Sequence, residues 1–110
     1  VDSQDGIGHN AWDASGYRGT DAGTNLKTTS GWNDNGNGTD LFGFSGLPGG
    51  GRNYDVYFYD VGDIGLWWTS TEFNNNYACN RNLHFYYPEV YRYIGFNEGY
   101  GFSVRCLRDY

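Results

Sequence analysis

The sequence predicts an α+β domain made mostly of short antiparallel strands and long loops, with little helix. Three observations point there. Gly and Asn occupy 30 of the 110 positions, and both favour turns over the interior of packed elements. Ile, Leu and Val together number 14 whereas Trp, Tyr and Phe number 22, and aromatic rings suit a pleated, half-buried surface. The apolar residues fall in short runs bounded by Gly, Asp or Asn, the pattern of strands between tight turns. A chain of 110 residues makes one domain, and so short a domain leaves many of its tyrosines at or near water.

Along the chain, residues 1–16 mix Asp, Gly, Asn and Ser around Trp12 with no helical or alternating period, and read as an irregular lead-in to a single domain over 17–110. Between 17 and 32 the apolar anchors Tyr17, Leu26 and Trp32 are separated by Gly19, Gly23 and Gly31, so at most a short turn of helix fits. The run NDNGNGTD at 33–40 is a chain reversal. Strands are predicted at 41–44, 54–59, 66–70, 77–85, 90–94 and 101–108, broken by glycines at 49–51 and asparagines at 74–76. In 54–59, parity puts Tyr54, Val56 and Phe58 on one apolar face; in 101–108 it puts Phe102, Val104 and Cys106 on one side. Trp32, Phe42, Phe44, Phe58 and Phe102 are the expected core. Trp67 and Trp68, adjacent in a strand, face opposite sides, one toward the core and one toward the surface.

Net charge is −6, which disfavours nucleic acid, because neutralising phosphates needs clustered Lys and Arg. The acidity lies in front: up to Glu72 the chain carries 10 acidic and 3 basic residues, and beyond it 3 acidic and 4 basic. No apolar run approaches the roughly 20 residues of a membrane span, so no membrane insertion is expected. The single lysine, with abundant Tyr, Asn, Gly and Ser, fits an extracellular binding protein.

Catalytic signals are sparse. A nucleophile–base pair needs His, and only His9 and His84 occur; for His84 an exposed strand histidine among aromatics is favoured over a general base, since no partner triad is visible. Asp60 with Asp63, or Glu89 with Glu98, could flank a glycosidic bond, but solvated loop acids are the plainer reading. Non-enzymatic function is therefore expected, with a carbohydrate-active enzyme as the lesser alternative. Asn33, Asn35, Asn37 and Asp40 partly echo a calcium loop, yet the twelfth place, where a bidentate acid belongs, is Phe44. A plain Asx/Gly turn is favoured and no cofactor is expected, calcium being the one candidate.

The segment 73–100 holds nine aromatics interleaved with Asn. If Leu83 and Val90 face the core and no bulge intervenes, period two sends His84, Tyr86, Tyr91 and Tyr93 outward. Tyr supplies rigid amphipathic contact area and Asn adaptable hydrogen bonding, the chemistry of a paratope. The expected ligand-binding residues are Tyr77, Cys79, Asn82, His84, Tyr86, Tyr87, Tyr91, Tyr93, Phe96 and Tyr100. The competing reading makes these rings core filler. With Ala78 inward, Cys79 faces out and Cys106 is a small buried hydrophobe, so a bridge between them is possible but not favoured.

Several motifs resemble the FISUMP family, the Fibrobacter succinogenes major paralogous domain: GTNLK at 23–27, TSGWN at 29–33, NGNGTD at 35–40, GFSGLPGG at 43–50, GLWWTSTE at 65–72 and GFSVRCLRD at 101–109. They follow the family's order over about 17–109. The resemblance implies a C-type-lectin-like, formylglycine-generating-enzyme-like fold in a bacterial surface or secreted protein, without implying catalysis. The family's usual N-terminal strand and helices are missing before Tyr17, which implies a trimmed part of a larger surface protein or elements supplied by a partner.

Residues 74–100 also resemble the variable region of proteins diversified by a retroelement, where randomised Asn codons yield Tyr, Phe, His, Cys, Asn, Ser, Ile and Gly. Tyr77, Cys79, Asn80, Asn82, His84, Phe85, Tyr86, Tyr87, Tyr91, Tyr93, Ile94, Phe96 and Tyr100 fit such positions, against a frame of Ala78, Arg81, Leu83, Val90 and Arg92. The expected function is presentation of this surface to a protein or glycan on another cell; the rival is a structural surface module without a ligand.

Overall fold

The computed structural model describes residues 2–6, 8 and 10–107; His9, and Arg108 and Asp109 of the last predicted strand and motif, lie outside the described residues. Six strands and one short helix follow a 3-10 turn at Asn10–Asp13: β1 (Gly16–Arg18), α1 (Ala22–Leu26), β2 (Gly51–Arg52), β3 (Phe58–Tyr59), β4 (Ile64–Asn74), β5 (Tyr77–His84) and β6 (Val90–Asn97). All strand pairs are antiparallel, in a four-stranded sheet of order β1-β6-β5-β4 and a two-stranded ribbon of β2 and β3. The mostly antiparallel character with very little helix agrees with the sequence reading. No helix among the described residues is long and apolar enough to cross a membrane.

Helix α1 stays short because its sequence, AGTNL, opens on a glycine at its second position and the chain turns extended at Lys27 (φ −73°, ψ 143°). Gly23 is required there, since a Cβ would collide with the backbone of Pro88 and Glu89. Asp21, at the N-cap, makes no side-chain cap. Asp2 takes that place: its Oδ2 accepts from the N–H groups of Thr20, Asp21 and Ala22 at 2.6, 2.8 and 2.9 Å, and its Oδ1 from Gln4 and Asp5. Burial works to raise the Asp2 pKa, but these backbone donors outweigh it and hold the carboxyl well below the carboxylate range. The lead-in thus fastens itself to the start of α1, and β1 extends the sheet edge.

Lys27, the only lysine, is 3 % exposed. Its Nζ donates to the carbonyls of His84 (2.9 Å) and Tyr87 (3.3 Å) and lies 5.4 Å from the centre of the Trp32 ring. Trp32 is buried, and its indole N–H donates to Gly46 O and Thr28 Oγ1. With Ala22, Leu66, Cys79 and Leu83 it makes up the small buried hydrophobic core. The outer edge of β4 is covered rather than bare: Ser103 N–H donates to Leu66 O and Trp68 N–H to Ser103 O (2.9 and 3.1 Å), while Gly50 N–H donates to Ile64 O.

Several expected elements differ, each for a local polar reason. Residues 41–44 form a turn, because the Asp40 carboxylate accepts from Ser45 N and Oγ (2.7 and 2.9 Å) and closes the loop on itself. In 54–59 only Phe58 and Tyr59 are strand; Asn53 Oδ1 accepts from the N–H groups of Asp55 and Tyr57, turning the chain through Val56 at φ 67°. Tyr54, Val56 and Phe58 are consequently all exposed rather than packed on a core face. Phe42 is exposed as well, and Phe44 and Phe102 are half-buried, so of the five expected core aromatics only Trp32 is buried. The last segment bridges the fold at Gly101 and Ser103 and then leaves it, with Val104 and Leu107 exposed.

Replacing the Lys27 ammonium leaves two loop carbonyls without their donor. Lys27→Met is expected to lower stability by about 2–4 kcal/mol, read as a shifted midpoint in urea unfolding.

Candidate functional site

Residues paired directly across antiparallel strands share a face. One row runs Tyr17, Tyr91, Asn82, Leu66 across β1, β6, β5 and β4; the row beside it runs Tyr93, Asn80, Trp68. The opposite face carries Arg92, Arg81 and Trp67 in one row and Val90 with Arg18 in another. In β5, therefore, even positions (Asn80, Asn82, His84) look one way and odd positions (Cys79, Arg81, Leu83) the other.

The register slips between Ala78 and Asn80, so that Ala78 pairs with Phe96 while Asn80 pairs with Tyr93. The extra residue falls at Ile94–Gly95, and Gly95 sits at φ 83°, where glycine is at ease. This bulge turns two residues three apart, Tyr93 and Phe96, onto the same face. An unbroken chain of rings results: Tyr86–Tyr87 (5.4 Å between centroids), Tyr87–Tyr17 (4.3), Tyr17–Tyr91 (4.8), Tyr91–Tyr93 (5.9), Tyr93–Phe96 (4.9), Phe96–Tyr100 (4.7) and Tyr100–Tyr54 (5.6). Phe102 joins from one side, against Phe96 and Trp68. Most contacts are tilted or edge-on, the geometry in which ring quadrupoles attract.

The structure brings most of the predicted residues together on this strip. Tyr86, Tyr87 and Tyr93 are exposed, and His84, Tyr91, Phe96 and Tyr100 half-buried; none of these seven is buried. Asn82 is on the same face but buried, at 9 % exposed. Tyr77 is exposed at the start of β5 opposite Asn97 and, among the described residues, touches no other ring. Cys79 is the correction: at 4 % exposed it is core, on the face it shares with buried Leu83 and half-buried Arg81. Cys106 is exposed, the reverse of expectation, because the last segment has left the sheet; both thiols are free. Sequence reading missed Tyr17, Tyr54 and Phe102; of Trp67 and Trp68, expected on opposite faces, Trp68 is the one beside the strip. The first three enter from segments distant in the chain and bear no local mark, although Asn80 alternates with Asn82 and parity alone places the two together.

His84 sits among Tyr17, Tyr87 and Tyr91, with centroids 5.7, 5.9 and 6.3 Å away. Burial pushes its pKa below the ordinary 6.5; Asp60 opposes this and Lys27 adds to it. Burial, with Tyr87, Tyr91 and Glu89 nearby, raises the Tyr17 phenol. Both shifts favour the uncharged forms of His84 and Tyr17. A recess of about 210 Å³ opens at the end of the strip, lined by Lys27, Asn35, Asn37, Tyr86 and Tyr87 among others. A larger cleft of about 540 Å³ lies on the opposite face, walled by Trp12, Leu26, Phe44, Trp67, Leu83 and Val90 and reached by Arg81 and Arg105.

The remaining candidates are scattered. Glu89 and Glu98 flank the two ends of β6, about 25–30 Å apart at strand rise, beyond the span two carboxylates need on one glycosidic bond. Asp60 and Asp63 share one turn. In the 33–40 loop, Asn37 Oδ1 accepts from Trp32 N–H, Asn33 Nδ2 donates to Asp63, and Asp40 brackets Ser45, while Asn35 is exposed at φ 60°. Among the described residues no three His, Cys, Asp or Glu side chains gather as a metal-holding group.

A family model described as the Fibrobacter succinogenes major domain matches residues 3–108, which takes in most of the lead-in. No curated protein and no solved structure matches the chain.

Two outcomes follow from this geometry. Gly95→Ala is expected to cost about 1–2 kcal/mol, the price of a left-handed conformation for a residue with a Cβ, read by urea unfolding. A His with a lowered folded pKa binds fewer protons folded than unfolded, so its contribution is complete above pH 6.5 and is lost as pH falls through and below that value. His84→Phe should flatten the fall in stability between about pH 7 and 5 relative to the wild type, measured by thermal unfolding across that range.

Proposed function

The chain belongs to the Fibrobacter succinogenes major domain family, and from that premise we propose that it is a non-enzymatic, extracellular ligand-binding domain of C-type-lectin-like fold, presenting the aromatic strip to a protein or glycan on another cell. The observation that carries this reading is the continuity of half-exposed rings from Tyr86 to Tyr54, drawn from four separate stretches of chain. A core needs rings too, but not a line of them along a sheet face with Tyr86 at 74 % and Tyr54 at 64 % exposure. Such patches on soluble domains mark interaction sites, and Tyr and Trp anchors supply most of the energy at binding interfaces.

In this reading the domain sits on the bacterial surface, works without a cofactor, and neither binds nucleic acid nor inserts into membrane. The net charge of −6 supports the exclusion of nucleic acid. Retroelement diversification of 74–100 fits the layout, because Asn80, Asn82, His84, Tyr91, Tyr93 and Phe96 point to one face while Arg81, Leu83, Val90 and Arg92 hold the other. The genome tests that part: an adenine-rich near-copy of the segment should lie close by, and its absence removes the idea.

Arrays of glycans and of cell-surface proteins test the binding face. The wild-type domain should bind at least one probe, and a variant with Tyr86, Tyr91 and Tyr93 changed to Ala should bind it at least about 100-fold more weakly, each anchor contributing on the order of 1 kcal/mol or more, with an unchanged circular dichroism spectrum. Equal binding by both proteins places the site elsewhere.

A further inference from the structure

Beneath the rings the strip has a polar floor. Asn80 is 0 % exposed, and neither its Nδ2 nor its Oδ1 has a hydrogen-bond partner; Asn82 is 9 % exposed and its Oδ1 has none either. The register flanks Asn80 with Trp68 and Tyr93, and Asn82 with Leu66 and Tyr91. Ring contacts Tyr93–Phe96, Phe96–Phe102 and Phe102–Trp68, at 4.9, 5.2 and 4.5 Å, close a rim from one flank of Asn80 to the other.

A buried amide without partners destabilises a fold, whereas an apolar side chain of like size at the same place does not. One amide with neither atom partnered, Asn80, and a second whose Oδ1 has no partner, Asn82, lie two residues apart on β5 and face the strip that is lined with rings. Each amide sets an N–H donor beside a C=O acceptor. Hydroxyls on neighbouring carbons of a sugar ring match that pair, since each can donate and accept, while the C–H faces of the sugar lie flat on aromatic rings. In the two rows that hold Asn80 and Asn82 the neighbours are Trp68, Tyr93, Leu66, Tyr91 and Tyr17, none of them charged, whereas Arg18, Arg81 and Arg92 point to the opposite face. An anionic ligand would find no countercharge in these rows.

Building on the proposed binding face, we infer that its ligand is a neutral glycan, with Asn80 and Asn82 hydrogen-bonding ring hydroxyls and Tyr91 and Tyr93 stacking on the sugar. Tyr93, 38 % exposed, is the ring that turns aside about its χ1 to uncover Asn80. Asn80 and Asn82 are then kept for recognition at a cost to the stability of the free domain.

The test is an array carrying neutral hexose oligosaccharides, sialylated forms of the same backbones, and cell-surface proteins, probed with the wild type, Asn80→Leu and Asn82→Leu, each followed by thermal unfolding. The wild type should bind neutral oligosaccharides with no gain from sialylation. Both Leu variants should lose at least about tenfold in affinity, as sites built to pair hydroxyls do when a partner is removed, and Asn80→Leu should unfold at a higher temperature than the wild type. Should Asn80→Leu not fold, Asn82→Leu decides by its affinity. Unchanged affinity in the Leu variants, a lower midpoint that marks a buried water on the Asn80 amide, or binding confined to sialylated probes overturns the inference. Binding to a protein probe alone, lost in the triple tyrosine variant, overturns the glycan while leaving the binding face; binding to no probe removes both.

Discussion

The buried ammonium of Lys27 is the tie on which the arrangement of this domain depends. It fixes the carbonyl of His84 at the end of β5 and that of Tyr87 in the loop after it to the strand-like exit of α1, with the Trp32 ring alongside. The loop bearing Tyr86 and Tyr87 is also seated by Thr24 N–H to Pro88 O, Phe85 N–H to Asp63 O and the packing of Tyr87 on Tyr17. A lysine suits the place because its three donors can serve carbonyls that diverge. Its burial lowers the pKa from the ordinary 10.5, the mark of a charge taken out of water and compensated only by dipoles and a ring face.

The same economy recurs elsewhere. The described buried hydrophobic core is small, so apolar burial at about 25 cal/mol per Å² is shared with polar clasps that each close one loop. Asp2 holds the start of α1, Asp40 the loop to Ser45, Asn53 the turn into β3, and Asn37 the backbone of Trp32. The front half's acidity, which in composition looks like a solvated surface, is partly this set of carboxylates accepting backbone N–H groups. A charge-assisted acceptor at a turn contributes more than a neutral one, which makes a Gly-rich, aliphatic-poor chain foldable.

The sheet separates two chemistries. One face carries the guanidinium groups of Arg18, Arg81 and Arg92 and looks toward α1 and the large cleft; the other carries amides and aromatic rings. Burial and the neighbouring Arg92 both lower the Arg81 pKa, a like-charge crowding on that face. On the aromatic face, by contrast, His84 is held toward its neutral form. The face proposed to meet a ligand is thus an uncharged one in a chain of net charge −6.

The sequence by itself determined the class of the domain and the make-up of its surface. Turn chemistry at 33–40 and 74–76, the single turn of helix before Lys27, and the period-two runs of β4, β5 and β6 are local properties, written in residues that touch along the chain. The crowding of Tyr and Asn into 73–100 was likewise visible without coordinates, as was the outward direction of His84, Tyr91 and Tyr93. Tertiary structure decided what period two leaves open. A parity pattern fixes which residues alternate but not how deeply either face is covered, so Cys79 on one face and Asn80 on the other are both buried; a one-residue bulge at Gly95 then reset the phase and brought Phe96 beside Tyr93. Rings from β1, the turn at 53–57 and the last segment joined the strip through contacts between distant parts of the chain. Runs such as 41–44 and 54–59 read as strands because they are apolar, and became turns because Asp40 and Asn53 offered the backbone nearer partners than a sheet could.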